Sequence, residues 1–121
     1  MRRVREGQAM ALVVFRSKAA GEIYMFPETA RRIFEIIGKE NAARGVISAE
    51  QVPAALARLT AAVEEEKAQL KAAERERDEA ERRGEAQPPA EQPITLAQRA
   101  YPLIEMLRAA QRKNVDVTWG V

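Results

Sequence analysis

Arg16, Ser17 and Lys18 set a hydroxyl between two cations at the end of a short apolar run. With exposed backbone N–H groups beside it, such a trio can hold a phosphate or a carboxylate. A lysine can also activate a serine nucleophile, provided a shaped pocket lowers its pKa. The plainer reading is a set of solvated turn residues. Gly38-Lys39 looks like the end of a phosphate-binding loop, yet position 33, where that pattern needs its earlier glycine, is Ile33. It reads as a helix cap. Glu105 and Asp116 are candidates for a carboxylate pair in acid–base work, but no spacing argument joins a helix residue to a strand residue here. Arg99, Arg108, Arg112 and Lys113, with Tyr101 or Trp119 to stack on a base, give a nucleic-acid reading. Basic residues near a helix C-terminus are favoured by its dipole in any case.

Two features suit protein association instead. Trp119 is a candidate interface anchor, against the simpler reading of a core residue in register with Val115 and Val117. Leu70 and Arg77 lie on the seam of a charged helix and could receive a partner helix, against the reading of a merely solvated face. The 121 residues include no Cys and no His, which excludes a disulfide scaffold, Cys or His metal sites, and any mechanism that needs imidazole or thiolate. No catalytic residue, metal ligand or cofactor is expected.

The formal charge is +2. All of it belongs to the first nine residues, where Arg2, Arg3 and Arg5 outnumber Glu6; from Met10 onward 17 basic residues balance 17 acidic ones. That leader imitates a secretory signal, with arginines before the apolar run Ala9 to Phe15. Gly7 and Gln8 interrupt it, and Arg16 and Lys18 place charge where a cleavage region is neutral. A flexible leader at 1–9 ahead of a buried strand is the reading adopted, with Met10 a candidate start. No apolar run approaches the roughly 20 residues of a membrane span, so a cytoplasmic protein is expected.

The elements that must position these groups follow from periodicity. Ala11 to Phe15 is wholly apolar and reads as a strand covered on both faces; Ser17 to Glu22 reads as a connection, and Ile23 to Phe26 as an antiparallel partner. Pro27 and Glu28 open a helix with the stripe Ala30, Ile33, Phe34 and Ile37, which Gly38 closes. Ser48 and Gln51 have capping-box spacing before a second helix beginning near Pro53. From there Val52, Leu56, Leu59, Val63, Glu66, Leu70, Ala73, Arg77 and Ala80 keep a coiled-coil rhythm, but beyond Val63 only Leu70 is strongly apolar. Glu64 to Arg83 is therefore predicted to be a solvent-exposed helical extension. Gly84 and the prolines at 88, 89 and 93 make a linker.

Thr95 and Gln98 repeat the capping-box spacing before the stripe Leu96, Ala100, Leu103, Ile104 and Leu107. Pro102 is expected to bend or split this helix after Ala100. Asn114 ends it, and Val115 to Trp119 alternate as a half-buried strand. The expected fold is α+β, a small antiparallel sheet of hairpin plus C-terminal strand packed with about three helices. It divides into the leader 1–9, the hairpin and first helices 10–63, the charged extension and linker 64–94, and the closing helix and strand 95–121.

Five segments taken in order carry a resemblance: Phe15 to Gly21, Ile36 to Glu40, Gln51 to Leu56, Gln98 to Leu107, and Asp116 to Gly120. With them the chain resembles the small proteobacterial proteins grouped as domain of unknown function 1840, over Met10 to Val121 apart from the charged stretch near Glu64 to Gln92. The resemblance implies a bacterial cytoplasmic origin and supplies no activity and no functional residues. The leading expectation is a non-catalytic module acting on a protein partner or on itself through Leu70, Arg77 and Trp119. The alternative is a small-molecule or anion sensor, or a minor enzyme, using Arg16, Ser17 and Lys18; nucleic acid ranks third, and no membrane is expected.

Overall fold

The computed structural model describes residues 12–89 and 94–120. The leader, Met10 and Pro93 of the linker fall outside these residues. Strands β1 (Val13–Ser17) and β2 (Ala20–Met25) precede helix α1 (Pro27–Ile37), strand β3 (Gly45–Ile47), helices α2 (Val52–Arg82) and α3 (Leu96–Lys113), and strand β4 (Val117–Trp119). The sheet is antiparallel, with the order β2-β1-β4-β3. The fold is α+β, with four strands rather than three. The additional strand, β3, has three residues, too few for an alternation to be read.

The hairpin is tighter than its sequence suggests. β1 runs on through Arg16 and Ser17, and β2 starts at Ala20, so the turn is Lys18 and Ala19 alone. A register shift between Phe15 and Ser17 lets the ladder continue. Nor is β1 covered on both faces: Phe15 is buried, while Val13 and Val14 are only half-buried. Phe26 lies outside β2 as the exposed N-cap residue of α1.

All three helices pack on one side of the sheet with the buried faces of α1, the first half of α2 and α3. Gly38 at φ +80 caps α1, and its missing Cβ leaves room for the Arg58 guanidinium, which donates to the Ile37 carbonyl at 3.1 Å. Ser48 does not cap α2 with its hydroxyl. Val52 N donates instead to the Ser48 carbonyl at 3.0 Å, and Gln51 Oε1 accepts from Ser48 N at 3.1 Å. α2 then begins at Val52, placing Pro53 in the first turn, where no donor is lost. α3 has both halves of the capping box, with Gln98 N donating to Thr95 Oγ1 at 3.2 Å and Thr95 N donating to Gln98 Oε1 at 2.9 Å. It passes through Pro102 without interruption, because Pro102 and Gln98 lie on its exposed side, where water can satisfy the freed Gln98 carbonyl.

The last strand occupies the middle of the sheet. Phe15 pairs with Trp119 on one side, and Gly45 pairs with Trp119 on the other. The Trp119 ring lies over Gly45, 4.6 Å from the Phe34 centroid and 6.2 Å from that of Phe15, and its indole N–H donates to the Ala42 carbonyl at 3.0 Å. A Cβ on Gly45 would overlap the indole, and one on Gly120, at φ +73, would overlap the Ala43 carbonyl. Gly45→Ala should therefore cost about 1–3 kcal/mol through overpacking, and Trp119→Ala about 3–5 kcal/mol. Chemical denaturation of each variant checks both values.

Candidate functional site

Arg16, Ser17 and Lys18 do meet other polar residues. With Asn114, Val115, Asp116 and Thr118 they line an open depression of about 540 Å³ where the hairpin turn faces the end of α3. Antiparallel pairing of Arg16 with Thr118 and Ser17 with Val117 builds it, and Asn114, left-handed at φ 56, turns the chain out of α3 and into it. The volume suits a small ligand, but six of the seven lining residues are polar or charged and the exposed lining is only about half apolar, where binding pockets for drug-sized molecules are mainly apolar.

Much of that polarity is already committed. Ser17 Oγ donates to the Asp116 carbonyl at 2.8 Å and accepts from Ala19 N at 3.2 Å, so its proton is held by that carbonyl. Arg16 Nε donates to Glu22 Oε2 at 2.6 Å. Asp116 Oδ1 accepts from Ala49 N at 2.7 Å, which pins the loop ahead of α2. Lys18 is exposed at the rim. A serine oriented in this way serves the turn and is not poised as a nucleophile. The last carbonyls of α3 also bring the negative end of its dipole to this place, which weakens the case for an anion and favours a ligand carrying both charges.

Beside the depression, on the outer sheet face, Glu22 joins two neighbours. Tyr24 Oη donates to Glu22 Oε1 at 3.0 Å. The hydrogen bonds from Arg16 and Tyr24 lower the pKa of the Glu22 carboxyl, and the carboxylate in turn raises the pKa of the Tyr24 phenol. These side chains are in contact with solvent, so the effect is one of titration more than of stability.

The other candidates are spread out. Trp119 is 3% exposed and part of the core, with no face free for a partner. Leu70 is 39% exposed on α2, and Arg77 lies 3.9 Å from Glu81. Of the basic residues on α3, Arg99 donates to Thr29 Oγ1 at 3.1 Å and Arg108 to Glu105 Oε2 at 2.7 Å, so half of the nucleic-acid set is bound internally. Glu105 is thus Arg108's partner, and no contact joins it to Asp116. Among the described residues no group of three His, Cys, Asp or Glu side chains could hold a metal ion, and no helix is long and apolar enough to cross a membrane.

Glu66 is the residue that the pattern missed. Its Oε1 accepts from Leu96 N at 2.7 Å, an otherwise unpaired donor at the start of α3, and its Oε2 meets Arg32 of α1 at 3.3 Å. A carboxylate at a helix N-terminus is stabilising, and this one ties three helices together where α2 leaves the body. Its place in the heptad rhythm, a charge on an otherwise apolar seam, was the one local sign, and it named no partner.

The family described as Domain of unknown function (DUF1840) matches residues 11–119. No curated protein and no solved structure matches the chain.

The depressed Glu22 pKa means that any stability from this pair is present above the unfolded-state value and is lost as pH falls through the folded one; the raised Tyr24 pKa is the mirror case, lost as pH rises through it. In an ultraviolet titration Tyr24 should ionise above the usual phenol value of about 10, and Glu22→Gln should bring it down. Glu66→Ala should cost about 1–3 kcal/mol in denaturant, by leaving the Leu96 N–H without its partner.

Proposed function

We propose, for a chain that belongs to the DUF1840 family, that it works as a non-catalytic module binding another protein through the outer half of α2. One observation carries this reading. Beyond Glu66 the helix continues to Arg82, and every residue from Lys67 to Glu76 is exposed. At 1.5 Å per residue this is an arm of about 24 Å. Helix this long with little to bury is costly to keep unless something uses it.

Its chemistry suits a partner helix. From Lys67 to Arg83 six basic residues face five acidic ones, a mixture that favours paired recognition over the one-sign attraction of nucleic acid or a lipid surface. Leu70 is the large apolar residue on the seam, and Arg77 follows it at heptad spacing. A partner presenting an apolar residue opposite Leu70 and an acidic one opposite Arg77 would complete knobs-into-holes packing.

A photo-crosslinker placed at position 70 in the full chain should give one defined protein adduct. Arg77→Glu, with its helix content checked by circular dichroism because Arg77 is half-buried and faces Glu81, should weaken that association at least about tenfold, or about 1.4 kcal/mol. An adduct that is diffuse, or unaffected by Arg77→Glu, counts against the arm.

A second reading rests on the convergence of Arg16, Ser17 and Lys18 at the depression. It supports a small zwitterionic ligand, its acid held by Lys18 and its amine near Asp116 and the end of α3. Such a ligand should raise Tm in a thermal-shift screen, and Lys18→Ala should remove the shift. A cytoplasmic, bacterial setting and the use of 95–121 to close the domain begun by 10–63 belong to the same proposal.

A further inference from the structure

The helices pack on one face of the sheet, and among the described residues none covers the other. Register and alternation fix what stands on that outer face. Glu22, Arg16, Thr118 and Val46 form a row across the four strands, and Tyr24 and Val14 begin the next. Leu12 and Phe26 flank the Val13–Met25 pair at the open end of the hairpin. Leu12 is 46% exposed, Tyr24 61% and Phe26 66%, with Val14 half-buried beside them. Apolar side chains gathered in this way mark an interaction site. The adjoining edge is blunted, because Gly21 and Glu22 stand together opposite Arg16 as a bulge on β2 itself. What the hairpin offers is its face.

We propose that a second copy of this chain stacks on this face, hairpin on hairpin, about a two-fold axis that runs between β1 and β2.

The side chains choose the axis. An axis over β1 sets Arg16 on Arg16, and one over β2 sets Glu22 on Glu22, like charge against like. One along the midline of the sheet, between β1 and β4, lays Glu22 on Val46. An axis across the strands puts each charge on itself or lays Arg16 on Val14 or Leu12, a charge on an apolar side chain. Between β1 and β2 these conflicts disappear. Arg16 then lies on Glu22 of the other copy, Val14 on Tyr24 and Leu12 on Phe26, and each contact is made twice.

Four charges alternate in sign around that axis, and the ion pair of Arg16 with Glu22 within each copy is kept. Aligned sheets pack face to face about 10 Å apart. The helices, on the far side of each sheet, stay clear. Because every group on the hairpin face meets its complement on the same face of the other copy, a second copy is favoured over an unrelated surface. Two strands give a patch smaller than the roughly 800 Å² per partner of a standard interface, so the dimer depends on concentration.

Sedimentation velocity on the full chain from micromolar to millimolar should show monomer passing into dimer. Phe26→Ser keeps the fold, since serine is favoured at the N-cap of α1, and should raise the dimer Kd at least about tenfold. Arg16→Glu and Glu22→Arg, at exposed positions and so nearly neutral for folding, should each be monomeric alone and dimerise when mixed, one copy acidic where the other is basic. Val46→Lys, on β3 outside the contact, should leave the dimer intact, and so should removal of residues 2–9. Circular dichroism checks the fold of each variant. A monomer throughout, a dimer indifferent to Phe26→Ser, a mixture that stays monomeric, or a dimer lost with Val46→Lys or without residues 2–9 would overturn the proposal.

Discussion

The seat of Trp119 over Gly45 is the contact on which this fold depends. β4 comes last in the chain and lies between β1 and β3, so without it the sheet is a hairpin and an isolated strand of three residues. A lone hairpin is marginal in water. The indole supplies what the short strands lack, a large apolar surface shared with Phe15 and Phe34, and a donor satisfied by Ala42. Only glycine at 45 lets it lie so close to the neighbouring strand, and only glycine at 120 lets the chain turn away against Ala43. Because β4 joins partners about 70 to 100 residues earlier in the chain, the core closes over nearly the full length of the chain.

The second constraint is where order from packing stops. Up to Val63 the helix α2 is held by its buried seam, and Glu66 closes the body by binding α1 and the start of α3. Past that point, apart from the buried Ala80 near the far end, helical propensity and ion pairs remain, the pairs each worth only a few tenths of a kcal/mol. Two parts of one helix therefore differ in what holds them. The body resists opening as a unit, while the arm is free to answer to whatever lies against it.

Much of the reactive-looking chemistry turns out to be structural. Ser17 closes the hairpin onto the Asp116 backbone, Asp116 anchors the loop before α2, Arg99 serves Thr29, and Arg108 holds Glu105. What remains open to solvent is a polar depression, a charged arm, and an outer sheet face with Tyr24 and Phe26 on it. Those are surfaces for recognition more than for reaction.

The sequence by itself determined the helices and their buried stripes, the caps at Gly38, Thr95 and Asn114, and the place of Trp119 in a strand, because period and cap chemistry act between residues a few positions apart. It was also enough to tell that Arg16, Ser17 and Lys18 share the end of a strand. Tertiary structure alone decided that β3 exists, that β1 extends to Ser17, and that the last strand sits in the middle. It alone gave Glu66 its partner 30 residues away and turned the Ser17 proton toward Asp116. Those outcomes rest on backbone groups brought together by the closing of the core, and a hydrogen bond between residues far apart leaves no local trace in composition or spacing.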